Sequence, residues 1–291
     1  MRPKTISDRL ADFARDLKLY GPLTASRVNL TPLSRRFIVE RLLRRVAAPS
    51  LMDLLASESE VHISPDTLIE SLTGPISSRL RELHDEFDLL WQELQTRYQL
   101  RSKQLGYSNT WALEQNSCLL LYSLVRLLRP TNILETGVAN GQSTFVCLQA
   151  LARNGRGRLI SVDVHDDVGG LLTHEERTGW DLRIINRRRI RSVFRELVSE
   201  LPQLDLYLHD SEHTYSWQTF EYSLVTSKLG ADGIFMSDDV DGTYAYLDYC
   251  RRIGRRPLVL LDHRKVVGLA RPNQPDRPGQ VAIARQREGS R

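Results

Sequence analysis

The chain has 291 residues, 41% of them hydrophobic and 26% charged, which is the make-up of a soluble globular protein with room for one large α/β domain and a smaller appendage. The most apolar run, 118–128, is short and carries Arg126, so no membrane span is expected, and the charged N-terminus lacks the apolar stretch of a secretory leader. The net charge of +4 sits in the ends: residues 1–50 carry a surplus of +7 and residues 271–291 of +3, which leaves −6 for the middle. A nucleic-acid substrate would favour a basic working face, so none is expected.

Residues 1–105 show no strand pattern. Ile38, Val39, Leu42, Leu43 and Val46 share one helical face with arginines opposite, and a second helix over 75–104 places Leu80, Leu83, Phe87, Leu90 (or Trp91) and Leu94 at helical spacing. This N-terminal helical region is read as a lid or an oligomer contact, and the protein as a homo-oligomer. From residue 106 helices alternate with short apolar strands, as in a parallel sheet. Helix 111–128 precedes strand 132–136; a glycine turn and helix 143–153 lead to strand 158–164. After a long loop come strand 182–185, helix 190–201, strand 204–209, helix 215–229 and strand 233–237. Helix 243–253 is followed by strands 257–261 and 266–270, whose four-residue connection forces them antiparallel. The domain is bounded at 106–270, and the tail from Arg271, with its prolines and arginines, is expected to be disordered. Cys118, Cys147 and Cys250 lack metal-ligand spacing, and their odd number suits buried thiols in a reducing compartment, hence a cytoplasmic protein.

The strongest local signal is Glu135-Thr-Gly-Val-Ala-Asn-Gly141, a buried strand that runs through two glycines into a helix opening at Ser143 or Thr144. Such a turn presents free N–H groups at the carboxyl edge of the sheet, where open α/β folds bind ligands. Its spacing departs from the dinucleotide pattern, which would need a glycine at Ala139. The loop resembles motif I of the class I S-adenosylmethionine-dependent methyltransferases. That resemblance implies a doubly wound, mostly parallel seven-stranded sheet ending in an antiparallel hairpin. It also implies a cofactor site of Glu135, Gly137, Asn140, Gly141, Ser143 and Thr144, with Asp163 at the end of the next strand binding the ribose hydroxyls.

Two further strand ends should reach the same edge. Strand 204–209 runs into Asp210-Ser-Glu-His213-Thr-Tyr215, and strand 233–237 into Asp238-Asp239. Three converging carboxylates repel one another unless solvated, protonated or bridged by a cation, and oxygen ligands suit Mg²⁺. This stretch resembles the metal-dependent small-molecule O-methyltransferases, and D-x-x-H-x-Y with Asp-Asp is closest to the macrolide-sugar O-methyltransferases and the cephalosporin-hydroxylase-like group. The resemblance implies Asp210, Asp238 and Asp239 as metal ligands, His213 as general base, and a sugar hydroxyl of a glycosylated natural product as acceptor. A catechol or phenol acceptor, and a non-catalytic binding protein that keeps the fold, are the alternatives. Glu114, on the preceding helix, is a candidate for a further site residue, and His209 competes with His213 for the role of base.

Overall fold

The computed structural model describes residues 51–273. The amphipathic helix expected over 37–46 and the tail beyond residue 273 lie outside them. The chain divides into two units, the second beginning at Glu58. Helix α1 (Leu51–Glu58) buries Leu51 and Leu55.

The second unit is built on an eight-stranded sheet. Its strands are β1 (Glu60–His62), β2 (Asn132–Thr136), β3 (Arg158–Asp163), β4 (Asp181–Ile184), β5 (Leu204–His209), β6 (Leu229–Ser237), β7 (Leu258–Leu261) and β8 (Val266–Ala270). Their order is β1-β7-β8-β6-β5-β2-β3-β4, and every pairing is parallel except those of β8 with β6 and β7. The mostly parallel sheet and its closing hairpin are those expected, with one strand more. Strand β1 was not foreseen, because three residues are too short to show a period of two, and what makes it a strand is pairing with β7 (Glu60↔Leu258 to His62↔Leu260).

Helices α2 (Pro65–Thr73), α3 (Ser77–Arg101) and α4 (Gln115–Leu128) precede β2. Ser64 caps α2, its hydroxyl accepting from the Asp66 N–H, with Pro65 in the first turn. Helix α4 is buried continuously from Ser117 to Arg126, the mark of a core helix, and closes on Arg129 in the left-handed region just before Pro130. Its buried Arg126 donates to both carboxylate oxygens of Glu86 on α3, at 2.8 and 2.9 Å, and this bidentate pairing keeps the charge satisfied.

The remaining helices are α5 (Gln142–Asn154), α6 (His174–Thr178), α7 (Ile190–Glu200), α8 (Tyr215–Thr226) and α9 (Ala245–Arg252). Helix α6, with a Thr173/Glu176 capping box, breaks what the sequence offers as one long loop. The chain steps from β2 outward to β3 and β4, then returns to β5 on the other side of β2. At such a reversal the loops beyond the carboxyl ends of β2 and β5 diverge and leave a crevice.

Candidate active site

Strand β2 delivers the glycine loop to this crevice. Gly137 and Gly141 have φ of +85° and +88°, values that favour glycine. A Cβ on Gly137 would collide with the Asp210 carbonyl oxygen and lie 2.9 Å from Ser211 Cα, and one on Gly141 would lie 2.9 Å from Gly169 Cα. The glycines let the loop close on its own neighbours. Glu135 is fully buried, accepting from Ser143 Oγ at 2.6 Å, Thr144 Oγ1 at 2.7 Å and Ser161 Oγ at 2.6 Å. Burial pushes its carboxyl up to about 7, although the three hydroxyls favour the charged form. Asn140 exchanges hydrogen bonds with the Tyr107 backbone. These five side chains hold the loop in shape.

Asp163 ends β3 beside the loop. Its Oδ1 accepts from the Val164 and His165 N–H groups at 2.6 and 3.0 Å, and Oδ2 from Val138 N–H at 2.9 Å. Each carboxylate oxygen has two acceptor positions, so Oδ2 retains room for a hydroxyl.

Strands β5 and β6 bring Asp210, His213, Asp238 and Asp239 together. Asp210, His213 and Asp238 each offer one donor atom, all within 4.8 Å of one another. His213 Nε2 is 3.6 Å from Asp210 Oδ1, and Nδ1 is 3.9 Å from Asp239 Oδ2 with no hydrogen-bond partner among the described residues. Burial disfavours the imidazolium, but hydrogen bonding of its N–H to Asp210 and the negative charge of Asp239, Asp210 and Asp238 outweigh it and raise His213 to about 9. Asp238 is fully buried, its Oδ1 is without a partner among the described residues, and burial followed by the charges of Asp210 and Asp239 pushes its carboxyl well above the usual range. Asp239 sits at φ +49°, backbone strain of the kind that collects at functional sites. Neither Asp210 nor Asp239 is a helix cap, since the N-caps of α8 and α9 are Thr214 and Tyr244.

Residues 134–240, a little over a third of the chain, match a family model described as a methyltransferase domain. No curated protein matches the chain. Similar solved structures include a methyltransferase of Podospora anserina bound to S-adenosylhomocysteine (14% identity, 63% of this chain and 88% of that one, TM-score 0.46). Others are the O-methyltransferase TomG of Streptomyces achromogenes (14%, 61% and 88%, TM-score 0.48) and an O-methyltransferase of Bacillus cereus (14%, 70% and 95%, TM-score 0.44).

The cluster contains one member that the sequence reading missed. Lys265, at the mouth of the β7–β8 hairpin, is 5% exposed and donates to Asp238 Oδ2, to Asp239 Oδ2 at 3.2 Å and to the Trp111 carbonyl at 3.4 Å. The signal was in the pairing: β8 lies antiparallel beside β6 with Ser237 opposite Gly268, which brings the residue before β8 alongside Asp238 and Asp239. Asp239 therefore stands with Lys265, while His213 joins Asp210 and Asp238. Glu114 does not enter the cluster; it accepts from the Arg264 and Lys265 N–H groups and braces the hairpin. His209 is buried against Glu221, and Tyr215 donates to Asp248 on α9.

Proposed function

We propose that the protein transfers the methyl group of S-adenosylmethionine to a hydroxyl of a small molecule, a sugar of a glycosylated natural product, with the assistance of Mg²⁺. The carrying observation is the acidic cluster on the rim beside the glycine loop: Asp210, His213 and Asp238 within 4.8 Å, with Asp238 Oδ1 buried and unpartnered. An orphaned buried carboxylate oxygen beside two further donors suits a divalent cation, so the residues fit the metal. The free acceptor position on Asp163 Oδ2, at the end of β3 next to the glycine loop, suits a ribose hydroxyl.

The cofactor supplies a methyl already activated on a sulfonium, and the metal supplies positive charge that favours the acceptor's alkoxide. The protein's part is placement and proton removal. Glu135, Ser143, Thr144 and Asn140 keep the loop rigid, and Asp210 and Asp238 hold the cation's place. His213 takes the acceptor's proton at Nδ1, the nitrogen without a hydrogen-bond partner. With the carboxylates uncompensated His213 keeps a proton at neutral pH, so it works as a base only when their charge is offset.

The first test is isothermal titration with S-adenosylhomocysteine, in Mg²⁺ and in EDTA. Micromolar binding, about −8 kcal/mol, supports the reading and leads to methyl-transfer assays on sugar and catechol acceptors with and without metal. No binding in either condition refutes it.

A further inference from the structure

We propose that Lys265 is a resident counter-cation that competes with a divalent metal for the carboxylates of the cluster and so sets how weakly or strongly the site binds metal. The proposal rests on the reading of this cluster as the methyltransferase's acceptor site.

An ammonium that is almost fully buried must be paired, and Lys265 is. Its Nζ has three acceptors: Asp238 Oδ2, Asp239 Oδ2 and the Trp111 carbonyl. The side chain is held in place from behind. Glu114 accepts from Arg264 N–H at 2.7 Å, Arg264 Nε at 2.8 Å and Lys265 N–H at 3.3 Å. Asp262, in the same turn, accepts from Ser117 N–H and Oγ, both at 2.8 Å, and from Asn116 Nδ2 at 3.1 Å, and donates its own N–H to the Lys265 carbonyl at 3.0 Å. Two acids thus clamp the hairpin turn to the start of α4, and the ammonium is delivered to one place.

That place satisfies only half of Asp238. Oδ2 meets Lys265, whereas Oδ1 is buried without a partner among the described residues, and Asp238 shares the three-donor cluster with Asp210 and His213. One carboxylate therefore serves two positive charges, the ammonium and any divalent ion. With His213 neutral, the three aspartates and Lys265 sum to −2, so a divalent ion would bring the site to neutrality. It would do so in contact with the group that Lys265 already neutralises, and repulsion between two cations is strong where little water screens it. A lysine that merely filled space would exert no such opposition.

The test uses the full chain with Lys265→Met, similar in reach but uncharged, and Lys265→Arg, which keeps the charge. Mn²⁺ binding is measured by calorimetry in the presence of S-adenosylhomocysteine, and melting temperatures are taken in Mn²⁺ and in EDTA. Lys265→Met should bind Mn²⁺ at least tenfold more tightly than the wild type, or about 1.4 kcal/mol. It should also melt lower in EDTA and gain more from the metal, while Lys265→Arg keeps wild-type affinity. Should Lys265→Met fail to fold, Lys265→Gln gives the same comparison. Unchanged or weaker Mn²⁺ binding by the neutral variants, with S-adenosylhomocysteine still bound, overturns the competition and leaves the methyltransferase reading standing. Loss of S-adenosylhomocysteine binding by the wild type itself overturns that reading instead.

Discussion

Glu135 illustrates how far a residue's type fixes its role. The glycine pattern behind it placed it at the end of a buried strand beside the glycine loop, which is where it lies, but whether its carboxylate faces a ligand or the protein depends on Ser161, which lies 26 residues further along the chain. No local pattern carries that. The same holds for Ser143 and Thr144, whose hydroxyls turn inward onto Glu135. Burial raises the Glu135 carboxyl from 4.5 to about 7, so the fold favours the protonated form. Its contribution is fully present below about pH 4.5 and is lost as pH rises through 7, a difference on the order of 3 kcal/mol. Glu135→Gln should flatten the stability profile across that window and melt higher than the wild type at pH 8. A wild-type profile already flat from pH 5 to 8 would contradict the assignment. The roles proposed for the site residues separate by readout. Asp210→Asn and His213→Ala should cost ~100-fold or more in methyl transfer and leave S-adenosylhomocysteine affinity nearly intact, whereas Asp163→Ala should lower that affinity at least tenfold. Equal loss of cofactor binding in all three would undo the division of roles.

Elements were legible where their period is long and their neighbours repetitive. The helices from α3 onward and the strands from β2 onward follow the sequence to within a few residues, apart from the short α6 and an earlier start of β6 at Leu229. What the pattern could not show is what the elements lean on. Helix α3 reaches the glycine loop indirectly: Arg101 donates to the carbonyls of Gly170 and Leu172 at 2.8 and 2.9 Å, and Arg97 to the Leu171 carbonyl at 3.0 Å. That segment in turn bonds to the loop, Gly169 N–H to the Ala139 carbonyl and Leu171 N–H to that of Asn140. The glycines of that loop make room for backbone. Gly137→Ala would force a Cβ into the Asp210 carbonyl at a φ of +85°; neither atom is at the end of a flexible side chain. A cost of about 2 kcal/mol or more is expected, with methyl transfer falling further than stability because Asp210 itself is displaced. Chemical denaturation and activity assays on one preparation check this, and a variant with wild-type stability and activity would show the contact to be slack.

At the scale of the whole molecule, the four-residue gap between residues 261 and 266 was enough to call for an antiparallel pair, and β7 and β8 pair from Leu258↔Leu269 to Leu261↔Val266. Which turn residue would reach inward was not legible, since that follows from the insertion of β8 between β6 and β7. The described unit from Glu58 onward thereby combines ionisable groups of two kinds, and their signs predict a stability curve. Glu135, Asp238 and His213 have folded pKa values above their ordinary ones, so their contributions are present at low pH and fade on the alkaline side, from about pH 4.5 to 7 for Glu135 and up to about 9 for His213. Glu86, Glu114 and Glu176 are the opposite case. Arg126 holds Glu86 down; in Glu114 and Glu176 burial opposes ionisation but is outweighed by hydrogen bonds from Arg264 and Lys265 and from Arg97. Those three contributions are present above about pH 4.5 and vanish as pH falls through the depressed values. Between the two losses lies a maximum, expected on the mildly acidic side, between about pH 4.5 and 7. Urea melts in EDTA from pH 3 to 9 would map it. Adding Mn²⁺ should shift the maximum toward higher pH, because a bound cation favours the charged forms of Asp210 and Asp238. A maximum already at pH 8 in EDTA, unmoved by metal, would mean that the raised carboxyls ionise as freely in the folded protein as in water.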